Sequence, residues 1–400
     1  MKKKNNRLIV IGSTWEQIPL IKKAKEMGCY VLGTDIDDNA EGFEYVDEKI
    51  VVSPRDLHGL LKIAKKFKPD GVTADECDYS HFAAVYISER LGLNNDGLEA
   101  AQNTGNKYIM RSRALEGRIV QPRFFSCNTY RQVCDAADSI GWPVIIKPHD
   151  NRGAYGVNIA SNLDELKFAF QEAVMHSHSR LTIVESCING THITVDGCFD
   201  QNGKHHNLAI ASKKTIPGKK PIICEVVYPA DISEDSKKNI LEANQDVVKA
   251  LKIKSGLTHS EYILDTQNRC FLVETANRGG GVWTSAIIVP ILSGVNNSEL
   301  LINNALNKNY KFRPKFWNGF VSLKFFIFKP GKIKKITGID KVKKIKGVKG
   351  IKINIRDGEK IIKPTGGGER HGFIIIKAKN KADLEIIFKK ANKAIRINYA

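Results

Sequence analysis

Apolar and polar positions in the first hundred residues switch between the short period of strands and the 3.6-residue period of helices. Leu8, Ile9, Val10 and Ile11 form an unbroken apolar run closed by Gly12, which predicts a buried strand. Thr14, Trp15, Glu16 and Gln17 then read as a capping box, opening a helix with Ile18, Ile21, Ala24 and Met27 on its inner face. Residues 30–34 predict the next strand, ending at Asp35. Leu57, Leu60, Leu61, Ala64 and Phe67 share one face of a second helix, residues 71–74 are again strand-like, and 82–91 are helical. Strands alternating with helices predict a parallel sheet covered on both faces.

Such a start invites a dinucleotide site, which needs glycines at the first, third and sixth positions of the turn so that backbone can approach a pyrophosphate. Here the turn runs from Gly12 through Ser13, Thr14, Trp15 and Glu16 to Gln17, with only the first glycine in place. Trp15 obstructs and Glu16 repels a pyrophosphate. Asp35 alone does not rescue the reading.

From about Thr104 the pattern changes. A basic helix over 107–113 leads to Gly141, Trp142 and Pro143, then to an apolar strand over 144–146 that ends in Lys147 and Pro148. A glycine-containing loop follows at 151–156, then a helix over 163–175 and several strands up to Glu274. After Lys311 the chain is lysine-rich and strand-dominated, closing with a helix near 382–394. Alternating lysine with Ile and Val, as over 343–349, predicts the wet face of a strand.

Charge and composition change this picture little. The net charge of +19 suggests nucleic acid, but the lysine excess lies late, on what reads as a solvated surface. No recognised nucleic-acid module or aromatic stacking motif accompanies it. Eight cysteines are scattered without a CxxC pair, which fits reduced thiols in a cytoplasm and supplies no zinc framework. No apolar stretch reaches the length of a membrane span, and the basic start lacks a signal-peptide core.

The chemistry lies in the middle of the chain. Lys147 ends a buried strand, so its ammonium is aimed at one point, and the loop after it presents backbone N–H groups as a phosphate cover would. Glu261 and Glu274 stand on two strand-like runs separated by turn residues 265–269. A hairpin tip at Gln267 and Asn268 sets the two glutamates directly opposite each other. Opposed like charges destabilise a strand pair unless a cation sits between them; two exposed glutamates on a wet face are the alternative. Asn277 adds an amide oxygen, and such hard oxygen donors suit magnesium. Arg278, followed by Gly279, Gly280 and Gly281, suits bidentate capture of phosphate or carboxylate.

This order of strand lysine, flexible loop, hinge glutamate, strand Glu and Glu-x-x-Asn-Arg resembles the ATP-grasp superfamily of ligases, in the branch of biotin carboxylase, carbamoyl-phosphate synthetase and L-amino-acid ligases. Residues 366–374 resemble the late segment of those ligases. The resemblance implies an α/β fold: a Rossmann-like preceding domain over 1–104, an ATP-grasp domain over 105–310 of two α+β subdomains (105–184 and 185–310), and a C-terminal strand-rich region over 311–400. It implies ATP and Mg²⁺ (or Mn²⁺), with small-molecule carboxylate and amine (or thiol) substrates. Neither membrane nor nucleic acid is expected as a partner, and a homodimer is allowed. Carried over by residue, Lys107 and Lys147 hold phosphates, and Arg152, Gly153 and Gly156 belong to the covering loop. Glu185 and the backbone near Ile188 meet the adenine. Glu261, Glu274 and Asn277 hold magnesium, and Arg278 and Lys147 act in catalysis.

Two positions depart from the family pattern. His192 stands where many relatives carry a ribose-binding glutamate, and Ala154 where a loop serine is frequent. A phosphotransferase or a carboxylase-like enzyme of the same fold would use the same metal site, and a basic nucleic-acid-associated nucleotide binder is a third class. The identity of the acid and the amine has no legible signature. One expectation concerns the cover: residues 151–156 should gain hydrogen-exchange protection when a non-hydrolysable ATP analogue binds, since covering the phosphates keeps water from the acyl phosphate. Equal protection with and without nucleotide refutes it.

Overall fold

The computed structural model describes residues 5–151, 155–216, 222–364 and 366–400. The N-terminal sheet is parallel, in the order Glu48–Val51, Tyr30–Asp35, Arg7–Ile11, Gly71–Thr73. The helices Ile18–Glu26, Leu57–Phe67 and Asp78–Leu91 accompany it. The first helix buries Leu20, Ile21 and Ala24 and leaves Ile18 and Met27 partly covered. Only half of the expected capping box forms. The Gln17 amide oxygen accepts from Thr14 N–H at 3.1 Å, but the Thr14 hydroxyl donates to that same oxygen at 2.7 Å instead of capping the helix. Asp35 is used within the turn, where Oδ2 accepts from Ser13 N–H at 2.8 Å.

A second, antiparallel sheet runs Phe124–Cys127, Thr182–Ser186, Val144–Pro148, Asn158–Ala160. Helices Tyr130–Ile140 and Leu163–Met175 pack on it around Val133, Val144, Ile146, Leu166 and Val184. The register sets Lys147 opposite Ile183 and Ile145 opposite Glu185.

The third sheet has eight strands, in the order Cys270–Ala276, Leu257–Leu264, Thr191–Phe199, His205–Thr215, Ile223–Tyr228, Phe320–Phe326, Gly372–Ala378, Val348–Ile353. Its last three strands come from beyond residue 311, so the lysine-rich region continues the central sheet. A small sheet of Lys360–Ile361, Gly331–Thr337 and Arg396–Tyr399 closes the C-terminal end. The expected strand over 343–349 is corrected. Ile339–Lys343 is a helix, a turn follows, and strand begins only at Val348. Val342 and Ile345 both pack into the core at a helical spacing of three, between Gly338 and Gly347 at φ +93° and +101°. Spacing by three outweighs the lysine alternation.

The hairpin that carries the glutamates is built with an adjustment that the sequence did not reveal. Next to the turn, Leu264 faces Cys270 and Tyr262 faces Leu272, a register centred on Gln267 alone. A bulge at Val273 then adds one residue, and Glu261 comes to face Glu274. The opposition is therefore as expected, although the hairpin tip is one residue tighter. No single helix among the described residues is long and apolar enough to cross a membrane.

Candidate functional site

The three sheets enclose a cleft of about 790 Å³. Its wall includes Lys107, Lys147, His192, Glu261, Glu274 and Arg278, so six of the expected residues are gathered in one place. Glu185 lies behind Lys147, while Ile188, Gly156 and Asn277 are not part of the wall. Arg152 and Gly153 lie outside the described residues.

Lys147 is held by its neighbour across the sheet. Its Nζ donates to Glu185 Oε2 at 2.6 Å, and Arg111 Nε donates to Glu185 Oε1 at 2.8 Å. All three side chains are buried. Burial opposes the Glu185 charge, but Arg111 and Lys147 outweigh it and pull the carboxyl down to about 2. Both Glu185 oxygens are thus engaged by protein cations, and this carboxylate acts on the cleft through Lys147. Arg111 also donates to Leu272 O and Val273 O, each at 2.9 Å. It therefore ties the hinge strand to the bulge that sets Glu274.

The glutamate pair is met by two ammonium groups. Lys107 Nζ lies 2.8 Å from Glu274 Oε1 and donates to Asn151 O at 2.8 Å. Burial works against this ammonium, yet Glu274 outweighs it and raises its pKa. Lys213 Nζ lies 2.5 Å from Glu261 Oε1. His259 bridges from the same side, with Nδ1 2.7 Å from Asp196 Oδ1 and Nε2 3.6 Å from Glu261 Oε1. Burial opposes the Glu261 charge, but Lys213 and His259 outweigh it and hold that carboxyl well below its usual range.

Asn277 donates from Nδ2 to Ser255 O at 3.0 Å and to Leu257 O at 2.9 Å. Those bonds fix the amide, and its buried Oδ1 has no hydrogen-bond partner in the structure. An orphaned amide oxygen three residues beyond Glu274 is a donor of the kind that a hard divalent cation takes. Among the described residues, no three His, Cys, Asp or Glu side chains converge to hold a metal by themselves. The donor set is of the kind that phosphate oxygens complete. Arg278 is already paired, with Nε and Nη2 each 2.9 Å from an oxygen of Asp78 and Nη1 donating to Gly279 O at 3.0 Å. The N-terminal domain thus fixes the plane of this guanidinium at the cleft wall.

Sequence reasoning missed Arg111, Lys213, Asp196 and the bridging His259. Two signals were available. Lys107 and Arg111 are four apart on one helix, hence on one face. His192, Thr194 and Asp196 alternate with Ile193 and Val195, which puts a polar row on one face of a strand. His259 and Glu261 repeat the pattern on the neighbouring strand, where Asp196 faces His259 and Thr194 faces Glu261.

Comparison with known proteins gives two family matches: an ATP-grasp domain over residues 140–286, and an L-amino acid ligase C-terminal domain 2 over residues 324–400. Among curated proteins, the formate-dependent phosphoribosylglycinamide formyltransferase of Prochlorococcus marinus (strain MIT 9303) is 25% identical over 191 residues, 46% of this chain and 47% of that protein. The alanine–anticapsin ligase of Bacillus subtilis is 24% identical over 268 residues, 61% of this chain and 55% of that one. The chain spans about half the length of each of these two relatives. Among solved structures, an L-amino acid ligase from Bacillus licheniformis superposes with a TM-score of 0.84 at 22% identity, covering 100% of both chains. A phosphoribosylglycinamide synthetase from Anaerococcus prevotii gives 0.78 at 20% identity, covering 99% of this chain and 100% of that one. These likenesses establish the fold.

The Arg111–Glu185–Lys147 cluster predicts a stability effect. Glu185→Gln leaves two buried cations without their counter-charge and should cost roughly 3–5 kcal/mol in chemical denaturation at neutral pH. Because the folded pKa lies near 2, below the ordinary 4.5, the stabilisation is complete above pH 4.5 and is lost as pH falls towards 2. The gap between wild type and Glu185→Gln should narrow over that window.

Proposed function

We propose that this chain, which belongs to the ATP-grasp superfamily, is an ADP-forming carboxylate–amine ligase. The observation that carries this reading is the meeting, in one cleft, of two opposed glutamates with the half-buried Lys107 and the buried Lys147. Phosphoryl transfer needs cations on the phosphates, oxygen ligands for a metal and exclusion of water. Lys147, fixed by Glu185, and Lys107 contact the phosphates of ATP, and the adenine lies against the hinge after Thr182–Ser186. His192, a half-buried imidazole whose pKa burial lowers, stands at the ribose as a neutral hydrogen-bonding group.

Glu261, Glu274 and the free oxygen of Asn277 are the residues that would hold Mg²⁺. The ion would take the place of the ammonium groups of Lys107 and Lys213 as partner of the glutamates and would supply charge neutralisation to the phosphates. A substrate carboxylate oxygen attacks the terminal phosphorus and ADP leaves. The amine nitrogen then attacks the acyl carbon, inorganic phosphate leaves, and the nitrogen gives up a proton. Arg278, held in plane by Asp78, presents N–H donors to the acyl phosphate. The match to an L-amino acid ligase C-terminal domain favours an amino acid among the substrates.

Three measurements test this reading. ADP release screened over carboxylate and amine pairs should require both partners; release with a carboxylate alone and a stable phosphorylated product identifies a phosphotransferase instead. Glu274→Gln should stay folded, since its side chain is about one-third exposed, and should lose roughly 100-fold or more in turnover. Near-normal turnover at ordinary magnesium contradicts the metal assignment. Lys147→Ala should weaken ATP binding about 10- to 100-fold by titration, the worth of a charge-assisted bond to phosphate. An unchanged affinity removes Lys147 from the phosphate site.

A further inference from the structure

The charge of this chain is divided along its length. Residues 1–310 hold 37 of the 62 Lys and Arg and 37 of the 43 Asp and Glu, so they are neutral. Residues 311–400 hold the other 25 cations against 6 acids and carry the whole net charge of +19. Charge used only for solubility is served by mixed signs spread over a surface. A field of one sign confined to one region repels itself and works against the compact state.

The fold gathers part of this charge on one side. In the strands Phe320–Phe326 and Gly372–Ala378, Phe325 and Phe373 line the cleft, whereas Phe326, Ile374 and Ile376 face the other way. Two helices cover that other face, Ile339–Lys343 through Val342 and Lys381–Ala394 through Leu384 and Ala391. Their outward positions, with the turn after the first helix, expose Lys341, Lys344, Lys346, Lys389, Lys390 and Lys393. These six form no ion pair with any described residue. The acids near them are engaged elsewhere. Asp340 lies 3.1 Å from Lys343 Nζ, Glu385 pairs with Lys324, and Asp383 accepts from Asn380 Nδ2 at 3.0 Å.

The make-up of this face narrows the partner. A helix that docks on a membrane turns large apolar side chains towards the lipid. On these two helices Ile386 is the one exposed large apolar side chain, and no exposed aromatic accompanies it. Exposed lysine–carboxylate pairs with an acidic protein contribute little each. A phosphodiester polymer differs, because each phosphate neutralised releases condensed counterions. Lysine is a flexible point charge that meets phosphates without reading bases. The helix Lys381–Ala394 has 14 residues and is about 21 Å long, a length over which a duplex offers about a dozen phosphates.

We infer that the outer face of these two helices is a nucleic-acid-binding surface that holds the phosphodiester backbone without sequence preference. It lies across the sheet from the cleft, so a nucleic acid bound there leaves the cleft open. It does not depend on the ligase reading.

Fluorescence anisotropy with a labelled DNA duplex of mixed sequence measures binding to the full-length protein. Six neutralised phosphates predict a roughly thousandfold loss of affinity between about 50 and 200 mM salt. Replacing Lys389, Lys390 and Lys393 together by Glu should weaken binding at least about tenfold and flatten the salt dependence. Replacing Lys341, Lys344 and Lys346 by Glu repeats the measurement on the other helix. Three reversals at the exposed Lys62, Lys65 and Lys66, on the helix Leu57–Phe67 of the N-terminal domain, change the net charge equally and should alter binding little. Affinity for an ATP analogue should stay at the wild-type value in all three variants, which reports that they fold. Equal weakening by all three sets overturns the inference, since total charge alone then explains the binding. Absence of saturable duplex binding by the wild type at low salt overturns it without any variant. Retention on phosphatidylglycerol vesicles as strong as on the duplex, at equal phosphate concentration, overturns it in favour of a membrane.

Discussion

The structure depends on one buried ionic contact, the Glu185 carboxylate held between the Arg111 guanidinium and the Lys147 ammonium. Each group belongs to a different element: the helix Lys107–Glu116, the strand Val144–Pro148 and the strand Thr182–Ser186. An uncompensated charge at any of the three positions is costly in the interior, so the elements cannot shift separately. Arg111 carries the constraint into the third sheet through the carbonyls of Leu272 and Val273. One guanidinium thus fixes both the cleft lysine Lys147 and the bulge that brings Glu274 opposite Glu261.

The cleft is organised by unsettled charge. Glu261 and Glu274 face each other and are quieted by Lys213 and Lys107, both side chains that a divalent ion and phosphates can replace as partners. Asn277 is arranged by its own N–H donors to leave its oxygen idle. Arg278, clamped by Asp78, stands in the same wall as the two glutamates.

Much of this was legible in the sequence, because it rests on local patterns. The first parallel sheet follows from period changes, and the helix at 163–175 forms where its pattern placed it. The hairpin of Glu261 and Glu274 follows from the turn residues between them, although their exact opposition needs the bulge. What stayed hidden depends on distant partners. Nothing near Glu185 in the chain announces that Arg111 occupies it, and nothing near Arg278 announces Asp78, two hundred positions away. The bulge at Val273 was invisible because it is stabilised by a side chain from another element. The segment at 343–349 misled because surface lysines follow solvent, whereas Val342 and Ile345 follow the core.

The order of the eight-stranded sheet has a consequence for how the chain is made. Ile223–Tyr228 pairs on one side with a strand close by in sequence, and on the other with Phe320–Phe326, where Glu225 faces Lys324. During synthesis from the N-terminus, the hairpin with the opposed glutamates exists before that second neighbour has been made. Until then, one long edge of Ile223–Tyr228 has unpaired N–H and C=O groups beside Val226 and Val227, a template for strands of other chains. Closing so distant a pairing pays its loop entropy before it gains contacts, which makes it a late step of folding. The lysines that follow Phe320–Phe326 are made only after this partner strand, so the exposed edge is covered by pairing and not by their charge.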